Sequence, residues 1–401
     1  MATTALRWWL LGLLFFGRLG LGFQFQTLGS VADDIGAEMD LSYTEIGTLV
    51  GLFLLPGIGL ALPGGFANRL LSDRYLVGLG LAALGLGGVI AALAEGFGAL
   101  AIGRIICGVG FVISTIYFVK MVADWFSDRE LATAMAVLMM SWPFGIALGQ
   151  VSHEWIAAIW SWRLAFVVSA TYCFIAAVLI AAMYRGPVNE KPLVVQSALS
   201  RPEFTLTIIA SVVWAFFNAG YIIYISFAPL ALTANGFSSM SSALMISVAS
   251  WVMIFSGAAC AYVADRTGRS DVVLYICLTG GALSLALLPV ADSPWLLILI
   301  FGLIGGAPAG VIMALVGEAM APERRAFGIG VFFTSYFVVI TPLPTLAGWL
   351  YDYAQTPAGP MLFAAALFVA AGIANAIFRI AQRHIARDTI RTEAAARHQR
   401  T

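Results

Sequence analysis

The groups in this chain best suited to chemistry are polar residues stranded in apolar surroundings. Arg18, Gly22 and Gln26 recur at intervals of four within an otherwise apolar run from Leu6 to Leu28, a spacing that stacks them on one helical face. A cation, a patch of bare backbone and an amide side by side suit a small anion, because the planar guanidinium fork matches a carboxylate or nitrate-like group. The alternative is an arginine that bonds backbone carbonyls of a neighbouring helix. Arg18 lies roughly 18 Å along the run at about 1.5 Å per residue. If the run crosses a bilayer, that is near the midplane, where an arginine costs about 2.5 to 3.5 kcal/mol and needs a cavity or a partner.

A later run carries Trp214, Asn218, Tyr221 and Ile225 on one face, with Phe217 and Tyr224 beside it. Asn218 is polar at depth, which suits a solute-lining face, whereas an aromatic stripe equally suits packing. Other chemistries lack their groups. Cys107, Cys173, Cys260 and Cys277 sit in apolar runs without metal-ligand spacing, so neither disulfides nor a metal site is expected. There is no Walker loop, H-E-x-x-H or nucleophile elbow. Glu45, Glu95, Asp124, Glu154, Glu318 and Asp352 all fall at run edges, and His153, next to Glu154, is expected at the surface. A membrane-embedded enzyme needs paired acid-base or metal residues at one depth, and none is apparent. No cofactor and no nucleic-acid partner is expected.

Composition says what must position these residues. Apolar residues make up 61% of the 401 and charged ones 10%, against about 25% charged in a soluble domain. Twelve apolar runs are long enough to span a bilayer as helices: 6 to 28, 44 to 66, 75 to 94, 98 to 121, 131 to 152, 163 to 183, 205 to 229, 239 to 263, 272 to 290, 294 to 316, 326 to 349 and 359 to 380. The first is too long for a secretory signal and lacks a small-residue cleavage site. Pro187, Pro192 and Pro202 mark a polar linker, giving a six-helix half at 1–184, a linker at 185–203, a second six-helix half at 204–381 and a tail at 382–401. The halves repeat: Asn68-Arg69 is answered by Asp265-Arg266, Asp128-Arg129 by Arg324-Arg325, and Pro143 by Pro342, at nearly constant separation.

Motifs at these loops resemble the major facilitator superfamily. Its G-x-x-x-D-R-x-G-R loop is nearly complete as Ala261, Asp265, Arg266, Gly268 and Arg269; the first copy carries Asn68 in place of the acid, followed by Arg69, with Asp73 at a different spacing. Arg104, Gly108 and Gly110 match R-x-x-x-G-x-G. Trp142-Pro143-Phe144-Gly145 with Gly149 is a weak form of a proline-glycine motif, and Trp162-Arg163-x-x-Phe166 is another family habit. The stretch from Gly17 through Arg18, Gly20, Gly22, Gln24 and Gln26, together with Pro56 to Gly65, looks most like the nitrate/nitrite-type and cyanate/nitroimidazole-type branches.

The resemblance implies an all-α protein of two pseudo-symmetric six-helix halves that moves a solute by alternating access between them, in the cell inner membrane, with or without a co- or counter-transported ion. It implies gating roles for Asn68, Arg69, Asp73, Asp265, Arg266, Arg269, Arg104 and Gly108. Arg18, Gly22, Gln26, Trp214, Asn218 and Tyr221 are the expected solute contacts. The expected solute is a small inorganic or organic anion moving inward; a larger aromatic or amphiphilic solute such as a vitamin or drug is the alternative, and a transporter-like sensor a remoter one. Lys and Arg accumulate in cytoplasmic loops, and with both termini inside only Arg18, Arg104 and Arg163 of the 21 cations fall elsewhere. Reporter fusions after Asp40 and after Gln196 should therefore read outside and inside; the same side for both would refute this topology.

Overall fold

In the computed structural model, which describes residues 4–64, 67, 70–126, 128–186, 198–321 and 324–398, twelve helices are long and apolar enough to cross a membrane. They are α1 (Leu6–Ser30), α2 (Tyr43–Gly64), α3 (Asp73–Ala92), α4 (Phe97–Trp125), α5 (Thr133–Ile159), α6 (Trp162–Met183), α7 (Arg201–Ala234), α8 (Ser239–Thr267), α9 (Ser270–Val290), α10 (Trp295–Ala319), α11 (Phe327–Ala354) and α12 (Ala358–Ile385). Helices dominate because hydrocarbon offers no partner for a free N–H or C=O, so each backbone group must be paired within its own segment. An even number of spans puts both termini at one end of the bundle, the terminal face; a short helix, Ala32–Met39, follows α1 at the opposite face.

Packing repeats six helices on. The pairs α1–α5, α1–α6, α3–α4 and α3–α6 are answered by α7–α11, α7–α12, α9–α10 and α9–α12. Between the halves, α2 meets α11, α5 meets α8 and α1 meets α7. The rim is apolar: Leu79, Val178, Phe255 and Leu296 are exposed there, whereas Gln24, Gln26, Thr27, Ser169 and Asn375 are wholly buried. This inversion is what a protein dissolved in lipid needs.

Two features differ from the sequence expectation. The segment 187–197 lies outside the described residues, but helix α7 already begins at Arg201, inside the expected linker, because Ser200 and Glu203 form a reciprocal capping box and Pro202 falls in the first turn, where a missing N–H costs nothing. The final helix continues through the expected tail to His398. The glycine-rich stretch of α10 is irregular: a π-helical turn at Phe301–Gly305 separates Trp295–Ile300 from Ala309–Ala319. Helix α11 likewise breaks between Ile340 and Leu343, at Pro342. All four cysteines are unpaired and buried.

Helices α1 and α5 approach closely through two glycines. A Cβ on Gly22 would sit 2.3 Å from the Trp142 carbonyl, and one on Gly145 2.3 Å from that of Leu19. Gly22→Ala should accordingly lower stability by about 1 to 3 kcal/mol through overpacking. Gly12→Ala, with nothing within 4 Å, should be neutral or stabilising through helix propensity. A thermal melt read by a thiol-reactive dye at the buried cysteines checks both; equal melting temperatures would refute the tight crossing.

Candidate functional site

Arg18, Gly22 and Gln26 share one face of α1, and it is turned into α5. Arg18 Nη1 donates to the carbonyls of Leu138 (2.9 Å) and Met139 (3.4 Å) and to Ser141 Oγ (3.1 Å), while Nη2 lies 3.5 Å from Met139 Sδ. Pro143 has no N–H for the Met139 carbonyl four residues earlier, so Arg18 supplies a donor that the ladder of α5 lacks. Gly22 makes the helix crossing described above. Gln26 Nε2 donates to Gln150 Oε1 (2.6 Å) and Ser30 Oγ (3.3 Å).

A second buried chain lies alongside. Thr27 Oγ1 and Ser169 Oγ are 2.8 Å apart, and Ser169 Oγ is 2.8 Å from His153 Nε2. His153 was expected at the surface, but it is fully buried, with its ring 4.3 Å from that of Phe23. The end of α5 packs against both α1 and α6, so its inward face stays covered up to its last turns. Gln150 and His153, three residues apart on that face, were missed; two polar side chains at one-turn spacing in an apolar run were the available signal.

Arg104 lies about two turns from the start of α4 and is 1% exposed. Its Nε donates to the Leu49 carbonyl (3.1 Å), and its guanidinium carbon lies 4.5 Å from the ring centroid of Phe53 and 5.7 Å from that of Phe25. Nη1 and Nη2 are buried and meet no acceptor. The rings of Phe25, Phe53, Phe111 and Trp142 form a continuous cluster beside it, with centroids 5.1 to 5.4 Å apart. Gly108 brings α4 against α2, where a Cβ would stand 2.2 Å from the Phe53 carbonyl. Among the described residues no carboxylate pairs with Arg18 or Arg104.

The α7 residues lie apart from these groups. Asn218 Nδ2 donates to the Trp214 carbonyl of its own helix (2.9 Å), Trp214 faces Tyr336 of α11 at 6.5 Å, and Tyr221 is buried. Of the expected gating residues, Asn68 and Arg69 lie outside the described residues. Asp73 accepts from Lys120 (2.5 Å), which also pairs with Asp124 (2.8 Å). Gly268 ends α8 in the left-handed region (φ 63°), where glycine carries no Cβ penalty. Asp265 and Arg269 are exposed, and Arg266 Nε donates to Tyr262 (3.0 Å). No cluster of metal-ligating side chains occurs among the described residues.

At the opposite face a vestibule of about 520 Å³ is lined by Asp33, Tyr43, Ile46, Leu230 and Tyr351. A smaller space of about 40 Å³ beneath it is bordered by Ser30, Gln150, Glu154 and Ser226. Asp33 is exposed to the vestibule yet set deep among protein atoms, and this desolvation together with the like charge of Asp34 pushes its carboxyl up to about 6, against a weaker opposing hydrogen bond from Tyr43. Glu38 is held below the usual carboxylate range by the indole N–H of Trp162 (2.6 Å) and by Arg163. Arg163, the one cation expected on this side, also donates to the Ala94 carbonyl (3.0 Å).

The model of the Major Facilitator Superfamily matches residues 14–341 and 260–398. The hexuronate transporter of Bacillus subtilis (strain 168) is 27% identical over 86% of this chain and 88% of its own length. The 3-(3-hydroxy-phenyl)propionate transporter of Escherichia coli (strain K12) is 24% identical over 91% and 92%. Among solved structures, the inward-open xylose transporter XylE from E. coli superposes with a TM-score of 0.76 at 13% identity, covering 92% of this chain and 95% of its own. A bacterial homolog of the human lysosomal transporter Spinster, inward-facing and occupied, does so at 0.73 and 16%, over 94% and 97%. With twelve spans in two repeating halves and a family match over most of its length, the chain is a multi-pass membrane protein that belongs to the Major Facilitator Superfamily, whose members here are transporters and not enzymes.

Proposed function

We propose that this carrier imports an organic carboxylate across the cell inner membrane by alternating access, with its termini on the cytoplasmic side, and that Arg104 is the principal counter-charge for the solute. The observation that supports this is the pair of buried, unpartnered Nη groups of Arg104. A guanidinium in hydrocarbon surroundings with no carboxylate beside it is costly, and an anionic solute offers the bidentate acceptor it lacks. Arg18 is the weaker candidate, because its Nη1 already has three acceptors on α5; its role on this reading is to brace α1 against α5. A hexuronate and a hydroxyphenylpropionate, named in the two relatives, are both organic carboxylates. We therefore favour that class over nitrate or cyanate. The aromatic cluster of Phe25, Phe53, Phe111 and Trp142 favours, as a second reading, a carboxylate bearing an aromatic or amphiphilic body. A co-transported ion has no assigned residue.

Loss of a hydrogen bond to a charged group costs about 1.5 to 3 kcal/mol. Arg104→Lys should thus weaken solute affinity at least about tenfold with the fold intact, and Arg104→Ala should abolish saturable uptake in proteoliposomes. Arg18→Ala should chiefly lower the melting temperature. Normal uptake by Arg104→Ala, or loss of uptake only in Arg18→Ala with unchanged stability, would reverse the assignment.

The acidic vestibule gives a pH dependence with a definite sign. Because the carboxyl of Asp33 is raised to about 6, it is charged at neutral pH and neutral below. By linkage, its burial opposes folding increasingly as pH rises from the ordinary carboxylate value toward 6 and not below that range. Lowering the pH on the vestibule side through 6 removes one like charge from the path of an anion. The KM for such a solute should fall, and Asp33→Asn should lower it at neutral pH and flatten this part of the profile. A KM that rises on acidification in the parent and is unaltered in Asp33→Asn would contradict the model of entry.

A further inference from the structure

The vestibule closes over a contact between helices of different halves. Helix α2 starts at Tyr43, where a helix leaves its first N–H groups without intrahelical acceptors. Asp352, near the end of α11, covers them: one carboxylate oxygen accepts from the Tyr43 N–H (3.1 Å), the other from the Thr44 N–H (2.7 Å) and the Thr44 hydroxyl (2.5 Å). The next N–H, that of Glu45, is met locally by Ser42 Oγ (3.2 Å). A negative charge at this end of a helix is also favoured by its dipole.

The approach that makes these bonds possible is prepared by glycines on both helices. A Cβ on Gly348 would fall 1.9 Å from the Tyr43 carbonyl, one on Gly47 2.1 Å from that of Pro344, and one on Gly51 2.3 Å from that of Thr341. The rings of Tyr43 and Tyr351 stack over the junction at 3.8 Å. Among the described residues every ion pair joins groups of the same half: Arg7 with Glu130, Lys120 with Asp73 and Asp124, Arg163 with Glu38, Arg324 with Glu203, Arg379 with Asp271 and Glu318. Asp352 is the carboxylate that reaches across.

From this geometry we infer that Asp352 is the clasp of the vestibule-side gate, a gating residue that holds the two halves together by capping α2 and lets go when that face opens. On release, α2 keeps its own Ser42–Glu45 box, and water takes the two freed N–H groups, so the open state strands no backbone donor in hydrocarbon. The clasp therefore contributes a difference between conformations while leaving each helix intact. The inference rests on alternating access but not on the identity of the solute.

The test is labelling without any solute. In a background with the four native cysteines replaced, Ser226→Cys places a thiol beneath the vestibule, on the small space that Ser226 borders. A membrane-impermeant maleimide is added from the vestibule side, and the initial labelling rate is read. Asp352→Asn should raise that rate about tenfold, the factor expected for one charge-assisted hydrogen bond, and Gly348→Ala should raise it by forcing the helices apart. Gly59→Ala, which has open space around it, should leave it unchanged. Should Asp352→Asn fail to elute as a single folded species, Thr44→Val carries the test, with a rise of a few-fold from losing the hydroxyl donor alone. A rate in Asp352→Asn, or in Thr44→Val where that replaces it, equal to the parent overturns the clasp, whatever Gly348→Ala does. Because no solute enters the assay, failure of Arg104 as the counter-charge would leave this outcome standing.

Discussion

A peptide group in hydrocarbon has no water to turn to, and leaving it unpaired costs several kcal/mol. Several irregular places in this bundle keep their backbone groups paired through a side chain from another helix or from the helix's own cap. Pro143 deprives the Met139 carbonyl of its usual donor, and Arg18 comes from α1 to provide one. The start of α2 exposes N–H groups, and Asp352 comes from α11 to receive them. Glu203 closes the first turn of α7 and accepts the Ala321 N–H and Arg324 as well. Tertiary structure here is to a large degree the sum of such repairs, with glycine-lined crossings bringing the repairing side chain within reach.

Where the repairs leave something over, function has room. Arg104 gives one N–H to the Leu49 carbonyl and keeps two nitrogens unspent in an aromatic enclosure. Arg18, also buried, commits Nη1 to three acceptors on α5 and leaves its Nε without a partner. Two arginines buried in apolar runs thus differ in what they can offer a solute.

The fold was legible because lipid imposes a coarse rule, about twenty apolar residues per crossing, and twelve runs meet it, with edges displaced by as much as the seven residues by which α5 outruns its expected end at 152. The start of α7 was not, since Pro202 reads as a helix breaker until Ser200 and Glu203 are seen to make it part of a first turn. The break of α11 at Pro342 follows from the N–H that proline lacks. The site was far less readable. A periodicity of four correctly gathered Arg18, Gly22 and Gln26 on one face but could not say that the face meets α5. Asp352 reads as one more acid at a membrane edge because its partner is a helix terminus 308 residues away. His153 reads as a surface residue because burial near the end of a span depends on the neighbouring helix, which no local pattern reports.

The acidic vestibule and the buried guanidinium act on different quantities. Under the proposed reading, an anion drifting toward the opposite face first meets Asp33, Asp34 and Glu154, a like-signed mouth that slows capture. Further in, the guanidinium of Arg104 is freed from solvent competition, which lengthens residence once the anion is held. Such a carrier trades arrival rate for dwell time. Its apparent selectivity would then depend on the ionic strength of the medium, because screening shortens the reach of the mouth while the enclosed arginine, shielded by its ring of aromatics, feels the salt hardly at all.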